Sequence, residues 1–297
     1  MMTYMLEIPW YVFALLGALF VSFASVFEKK VLIHDEPLHF SASSSALIGI
    51  LSLPFLFFVD WSAIPSIAFL IMYGVSILAM LAFCLVAFSL RALEAGEQTL
   101  ILALTPAVTA LFGFLFLGET LSTQAFLGLI LIVVGLIVLE FPSAKAGLHS
   151  HAFRKKLVPI FLAFGAVVVY SLSAVGDRIV LGHYDVDIID FLMIVQVMAL
   201  ANFLVLSWFD RSHKKLLTSS FRRHPMQVAT FSILLILSRL MHSQAVSMAY
   251  VALAAAIKRS GALFTIVIAR TYLKERSVGH KLLAGGIILA GVLSIIL

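Results

Sequence analysis

Two adjacent cations lie inside an apolar stretch that is long enough to cross a bilayer. Residues 251–272 read VALAAAIKRSGALFTIVIARTY, with Lys258 and Arg259 part of the way along. A bilayer core is spanned by ~20 helical residues, and a Lys or Arg at its centre costs at least ~2.5 kcal/mol. Such side chains line a solute path, pair with a carboxylate on another helix, or extend to the interface. We favour a solute path, in which Lys258 attracts a carboxylate or a phosphate.

Polar side chains in other apolar stretches are candidates for the same site. Arg239 and His242 are three residues apart and so share one face of a helix. Because histidine titrates near neutral pH, His242 either couples protons or acts as a hydrogen-bonded packing residue. Gln196, Tyr170 and Gln98 complete the predicted substrate-binding set. Gln196 and Tyr170 either contact substrate or hydrogen-bond a neighbouring helix.

The composition places these residues in a membrane. Of the 297 residues, 62% are hydrophobic and 12% are charged, whereas soluble proteins carry about 25% charged residues. The apolar residues fall into blocks of ~20, which predicts an all-α integral membrane protein rather than a barrel. The net charge of +5 reflects basic loops and gives no support for nucleic-acid binding.

Hydropathy predicts ten transmembrane helices joined by short connections. The predicted spans are 9–31, 40–59, 65–90, 97–117, 122–141, 157–181, 188–209, 226–250, 252–273 and 277–297. Pro106 lies inside the fourth span, where it is expected to kink the helix or free a carbonyl. Sixteen of the twenty Lys and Arg residues fall on one face, which predicts cytoplasmic basic loops and outward termini.

Two similarities indicate an internal repeat. The pair Glu28–Lys29 near the end of the first span recurs as Asp177–Arg178 near the end of the sixth, 149 residues later. This recurrence predicts two domains of five helices, residues 1–142 and 157–297, joined by a basic linker at 143–156. Because five is odd, the two domains insert with opposite orientation, an arrangement that many secondary transporters use for alternating access.

The second similarity aligns the fourth and ninth spans. Glu119 and Glu275, which follow these spans, are 156 residues apart. The same offset matches Lys258 to Leu102 and Arg259 to Ala103. The cations therefore belong to one half only, which favours a role in function over a requirement of the fold. Lys258 is the stronger candidate, because adjacent residues on a helix point ~100° apart.

These motifs resemble the EamA domain of the drug/metabolite transporter (DMT) superfamily. The resemblance rests on Leu117-Gly118-Glu119 with Gly128 and Gly135, on the upstream Ala92-Leu93 and Leu104-Thr105-Pro106, and on a looser second copy at Ala249-Tyr250, Lys274-Glu275 and Gly291. It implies a ten-helix permease or exporter of small metabolites in the bacterial inner membrane. Many members of the family are thought to have cytoplasmic termini, which disagrees with the charge distribution.

Two branches of the superfamily bear on the site. The small multidrug-resistance proteins carry an essential glutamate eight residues before a lysine, and the corresponding positions are Val21 and Tyr170 here. That proton-coupling carboxylate is therefore absent from its usual position. The plastid sugar-phosphate and nucleotide-sugar branches carry a Lys-Arg pair on the ninth helix that contacts phosphate. Lys258 and Arg259 resemble this pair, which implies an anionic group on the solute.

The sequence therefore predicts a secondary transporter of a small organic solute with an anionic group, such as an amino acid. It carries no G-x-x-x-x-G-K-[ST] motif for a nucleotide and no histidine cluster with metal-ligand spacing, so we expect no enzyme activity, no cofactor and no metal. The alternative is a lipid-handling protein, either a flippase or an intramembrane enzyme. The expected partners are the solute, the lipid bilayer and possible coupling protons, and the sequence leaves monomer and homodimer open.

Overall fold

The computed structural model describes residues 8–102, 104–119, 122–147, 151–209, 216–259, 261–273 and 279–296. Within these ranges every regular element is a helix. The α-helices are α1 (Trp10–Leu32), α2 (Pro37–Ser52), α3 (Ser66–Ala92), α4 (Ala95–Leu102), α5 (Thr105–Phe112), α6 (Thr123–Gly147), α7 (His151–Gly182), α8 (Ile188–Phe209), α9 (Ser219–Arg223), α10 (Pro225–Met248), α11 (Val251–Arg259), α12 (Ala262–Leu273) and α13 (Gly279–Ile296). A 3₁₀ turn (Leu53–Phe57) follows α2, and a π-helical turn (Gly113–Leu117) follows α5.

Six of the helices in the described ranges are long and apolar enough to cross a membrane. They are α1, α2 with its 3₁₀ turn, α3, α7 from Leu157 onward, α8 and α10. Three further helical segments are apolar but shorter: Thr105–Leu117, Thr123–Gly135 and Ala262–Leu273. The all-α membrane class is therefore confirmed, and the count of ten spans stays a prediction.

The predicted fourth and ninth spans are each divided into two helices. The fourth comprises α4 and α5, and the ninth comprises α11 and α12. Pro106 lies in the first turn of α5 rather than inside a continuous helix. Proline lacks an N–H group and its fixed φ suits the start of a helix, so this placement costs little. No proline accounts for the second division, where Gly261 follows α11.

The most extensive helix packing joins segments that are distant in sequence. α1 packs along α10, α3 along α7, and α6 along α13. The buried face of α1 is formed by small residues such as Ala14, Gly17 and Ala18, which let α10 approach closely. The Ser238 hydroxyl on α10 donates a hydrogen bond to the Gly17 carbonyl at 2.8 Å, across this contact.

The outer surface carries large apolar side chains. Phe57, Phe58, Trp208 and Phe209 are each more than 80% exposed. Such side chains would be unfavourable in water and match the hydrocarbon of a bilayer. The predicted basic linker at 143–156 is helical over 143–147, at the end of α6, and over 151–156, at the start of α7.

Candidate functional site

A cavity of about 160 Å³, lined by both polar and apolar side chains, lies where α1, α3, α4, α5, α7, α8, α10 and α11 meet. Helices from both ends of the chain contribute to it. Its walls combine apolar residues with a polar set. The polar lining residues are Ser25, Glu28, Gln98, Thr105, Tyr170, Ser173, Asp177, Arg239, His242, Ser243 and Lys258. Polar cavities within a helical membrane bundle mark solute or ion paths.

Five of the seven residues predicted for substrate binding line this one cavity. They are Lys258, Arg239, His242, Tyr170 and Gln98. Gln196 is buried behind the cavity wall, where it contacts Arg239 and lines a small adjoining void of about 10 Å³. Arg259 ends α11, and its side chain lies outside the described residues. The structure thus brings most of the set together, and the substrate-binding role stays a prediction.

Arg239 has a hydrogen-bond partner on α8 and an opposite charge nearby on α7. Its Nη1 atom donates a hydrogen bond to the Gln196 Oε1 atom at 3.0 Å. Asp177 on α7 lies close enough to both Arg239 and Lys258 for charge–charge attraction. Opposite charges in one buried cavity offset part of each other's desolvation cost. Asp177 therefore lies near two cations on other helices.

Gln98 has a structural role that its type alone did not indicate. Its Nε2 atom donates hydrogen bonds of 2.6 Å to the Val86 carbonyl and to the Ser89 hydroxyl, both on α3. These bonds fasten α4 against the end of α3. The amide nitrogen of Gln98 is therefore occupied within the protein even though the residue lines the cavity.

Two carboxylates in the cavity were not among the predicted site residues. Glu28 and Asp177 both line it, one on α1 and one on α7. Each lies seven residues beyond Val21 or Tyr170, which also line the cavity. Seven residues are two helical turns, so both positions share a face. The recurrence of the two acids 149 residues apart was the available signal, and it was taken only as a mark of the repeat.

The basic residues that follow these carboxylates bind helix ends. Lys29 Nζ donates hydrogen bonds to the carbonyls of Leu90 at 2.7 Å and Leu93 at 2.6 Å, at the end of α3. Such carbonyls lack partners within their own helix, and a cation there is favourable. Lys29 is thereby directed to α3 although it is adjacent to Glu28.

Arg178 binds the end of α10 in the same manner. Its Nη1 atom donates to the carbonyls of Val246 at 3.0 Å and Ser247 at 3.2 Å. Its Nε atom lies 3.4 Å from Oε1 of Glu119, in the turn between α5 and α6. Burial raises the pKa of the Glu119 carboxyl, and the Arg178 guanidinium opposes this effect. Arg178 therefore joins α7 to two other segments.

The division between α11 and α12 lies against α1. The Ser22 hydroxyl lies 2.7 Å from the Ala18 carbonyl oxygen and 2.8 Å from the Gly261 carbonyl oxygen, and its single proton is shared between these two acceptors. A Cβ atom on Gly261 would lie 2.8 Å from the Ala18 carbonyl oxygen, so only glycine fits at this contact without displacement. Lys258 is thus placed at the interrupted end of a helix that is packed tightly against its neighbour.

A larger groove of about 700 Å³ lies between α5 and α6, but it is apolar. Its walls include the exposed side chains of Leu111, Phe114 and Phe126. Glu119, at its edge, is paired with Arg178. This groove offers a surface for acyl chains and lacks the convergent polar groups that would orient a polar solute.

The fold and the cavity define a multi-pass helical membrane protein. Residues 8–141 match the EamA-like transporter family. The resemblance to the EamA domain of the DMT superfamily that the sequence shows is therefore confirmed over these residues.

The fold itself extends over nearly the whole chain. A solved crystal structure of a protein aligns with 96% of this chain and 97% of its own, with a TM-score of 0.60 and 13% sequence identity. At this identity the alignment shows a shared fold. No curated protein sequence matches the chain.

Proposed function

We propose that the chain is a secondary transporter that carries a small organic solute with an anionic group by alternating access. In this proposal residues 1–142 and 157–297 form two inverted five-helix repeats in the inner membrane, and the polar cavity between them is the solute site. An amino acid or a related compound is the expected type of cargo.

The composition of the cavity wall is the observation that carries this proposal. Eighteen of the lining residues form nine pairs, each with one member in the first half of the chain and one in the second. The two members are 149 residues apart when they lie on α1 and α7, and 156 residues apart when they lie on α3 or α4 and on α10 or α11. The pairs are Val21 and Tyr170, Ala24 and Ser173, Ser25 and Ala174, Glu28 and Asp177, Val75 and Phe231, Ala79 and Leu235, Phe83 and Arg239, Val86 and His242, and Leu102 and Lys258. Repeats related by a pseudo-two-fold axis place their shared site where the halves meet.

The polar helix-end contacts support the same repeat. The carbonyls bound by Lys29 include Leu90 and Arg91, the latter at 3.4 Å, and those bound by Arg178 are Val246 and Ser247. The second pair of carbonyls lies 156 residues after the first. These corresponding contacts of two basic side chains on different helices support a shared architecture of the two halves.

The nine pairs also assign different tasks to the two halves. In five pairs the first-half member is apolar and the second-half member is polar, as in Phe83 with Arg239 and Leu102 with Lys258. The first half thus supplies mainly an apolar wall, and the second half supplies hydrogen-bonding and charged groups. A site with one polar and one apolar wall suits a solute with a charged head and an apolar part.

The charge and size of the cavity favour a compact anion. Two cations, Lys258 and Arg239, lie near the carboxylate of Asp177, whereas the other carboxyl group of the cavity, Glu28, lies next to a cluster of apolar side chains. A cavity of about 160 Å³ is close to one of about 150 Å³ that accepts benzene. The cargo in this conformation is therefore about the size of a benzene ring, and a larger cargo requires opening.

A binding screen followed by transport tests the proposal. The purified protein is heated with monocarboxylates, amino acids, phosphate monoesters and matched neutral amides, and ligands that raise its melting temperature are identified. Binding to the folded state alone stabilises by about 2.7 kcal/mol at one hundred times Kd. We expect stabilisation by an anion and uptake of the same compound into proteoliposomes. Stabilisation by neutral amides alone would contradict an anionic cargo.

Lipid handling is the competing function, and the apolar groove between α5 and α6 is the feature that would serve it. A lipid substrate requires a polar head-group site beside the acyl surface, and the carboxylate of Glu119 at the groove is paired with Arg178. Movement of fluorescent lipids between leaflets by the reconstituted protein, with no uptake of soluble anions, would favour this function over solute transport.

A further inference from the structure

Glu28 is a buried carboxyl group that the anion site described above does not use. It is 4% exposed and lines the cavity from α1. Its Oε1 atom has no hydrogen-bond partner among the described residues. Its counterpart Asp177 faces two cations, so the two related acids have different surroundings.

The neighbours of Glu28 are largely apolar. Phe83 and Phe231 line the same cavity from α3 and α10, with ring centroids 5.7 Å apart in a stacked arrangement. Both belong to the buried cluster that contains Ala24 and Val31, on either side of Glu28 along α1. An ionised carboxylate without compensation in such surroundings costs several kcal/mol, and the group takes up a proton instead.

Among the described residues, the other charged groups near α1 are engaged elsewhere or lie at a distance from its buried face. Lys29 binds carbonyls of α3, and Lys30 lies 5.0 Å over the ring of Tyr272 on α12. Arg91 on α3 and Arg270 on α12 are exposed, and His39 on α2 lies 3.6 Å from Glu36. The remaining titratable groups that line the cavity in the described part of the chain are Tyr170, Asp177, Arg239, His242 and Lys258.

We propose that Glu28 is a proton-binding site whose protonation is linked to the binding of the anionic cargo. With Glu28 protonated, Lys258 and Arg239 outweigh Asp177, and the cavity carries one net positive charge. With Glu28 ionised, the fixed charges balance and attraction for an anion is lost. Proton and anion therefore bind together, and each raises the affinity for the other. The linkage rests on the proposed function, whereas the proton site does not.

Infrared spectroscopy of the protein in liposomes tests the proton site without any cargo, because a protonated carboxyl absorbs apart from a carboxylate. We expect a protonated-carboxyl band in neutral buffer that is absent in Glu28→Gln and retained in Asp177→Asn. Glu28→Asp keeps a carboxyl group, so the infrared band of this variant should shift rather than disappear. This variant therefore provides the test if Glu28→Gln does not fold. A band missing from the wild type, or unchanged in Glu28→Gln, would overturn the proton site.

The linkage is tested with methanesulfonate and benzenesulfonate, which remain anionic over the whole working range of pH. Thermal-shift titrations should show the wild-type Kd rising by up to about tenfold per pH unit as Glu28 loses its proton. Glu28→Gln should bind with little pH dependence, and His242→Gln should retain the wild-type profile. Loss of the pH dependence in His242→Gln alone would overturn the assignment to Glu28.

The remaining outcomes separate the two proposals. Sulfonate binding that is independent of pH in the wild type would overturn the linkage and leave anion transport standing. If no anion binds while the infrared band behaves as expected, the anionic cargo and the linkage are overturned, and Glu28 remains a proton site.

Discussion

Lys258 and Leu102 line the same cavity and are 156 residues apart in the chain. Lys258 lies next to the last residue of α11, and Leu102 is the last residue of α4. Each of these helices is the first part of a divided segment, so the two residues reach the cavity from similar places on the backbone. Lys258 carries a charge and Leu102 is apolar, so substitutions at these two positions separate the effect of the charge on solute binding from the effect of packing.

Substituting Lys258 with Met should abolish most anion binding. A hydrogen bond to a charged group contributes about 1.5–3 kcal/mol, so the Kd for the cargo should rise about tenfold to a hundredfold. Thermal-shift titration and uptake into proteoliposomes measure the effect. Lys258→Arg should retain part of the activity, because the charge remains.

Leu102→Met is the matched control for this substitution. It places the same side chain at the corresponding position of the first half, and volume-conserving apolar changes cost under about 1.5 kcal/mol. Transport by this variant should stay close to wild type. Equal loss of transport in Leu102→Met and Lys258→Met would mean that packing, rather than charge, explains the effect.

Much of the cavity could be predicted from residue type, because a charge in an apolar helix requires a polar environment. That argument selected Lys258, Arg239 and His242, and the structure places all three on one cavity. Glu28 and Asp177 were not selected because their recurrence near the ends of two predicted spans was interpreted only as evidence of a repeat. Only the packing of α1 and α7 against other helices shows that these acids face inward.

Asp177 and Arg239 should behave as a coupled pair in stability measurements. Asp177→Asn removes the carboxylate that attracts both Arg239 and Lys258, so the variant should be less stable than the wild type. Arg239→Gln also deprives Gln196 Oε1 of its donor. We expect the double variant to be less destabilised than the sum of the single variants, by about 0.5–3 kcal/mol.

Unfolding of the purified variants in detergent, followed by circular dichroism, measures this coupling. Ser25→Ala combined with Arg239→Gln is the comparison, since the Ser25 hydroxyl donates to the Val21 carbonyl on its own helix at 3.0 Å. The effects of this second combination should add. Additive effects for Asp177 with Arg239 would show that the two charges do not stabilise each other.

The divisions of the fourth and ninth segments were only partly predictable. Pro106 signalled an interruption, and its position in the first turn of α5 follows from its chemistry. The second interruption depends on Gly261, whose role is set by the approach of α1. A sequence shows that a glycine is present in a helix, but close backbone contact depends on which helix packs against it.

Gly261→Ala should therefore destabilise the protein, while Gly74→Ala should not. The added Cβ atom at position 261 would meet the Ala18 carbonyl oxygen at 2.8 Å, whereas at position 74 nothing lies within 4 Å. Overpacking of this kind costs about 1–3 kcal/mol, and alanine in an open helical position gains about 0.5–1 kcal/mol over glycine. Melting temperatures of the two variants give the comparison, and equal changes would exclude a tight contact at Gly261.

Arg178→Gln should destabilise the contacts at the end of α10, and Lys29→Met should destabilise the contacts at the end of α3. The first change removes the bonds to the Val246 and Ser247 carbonyls and the ion pair with Glu119, and the second removes the bonds to the end of α3. Local opening raises amide hydrogen exchange in the segment that is released. In Arg178→Gln we expect faster exchange at residues 246–253 and unchanged exchange at residues 90–98. In Lys29→Met we expect faster exchange at residues 90–98 and unchanged exchange at residues 246–253. Faster exchange of both segments in either variant would show that these contacts support the whole fold, and unchanged exchange in both would show that they hold neither end.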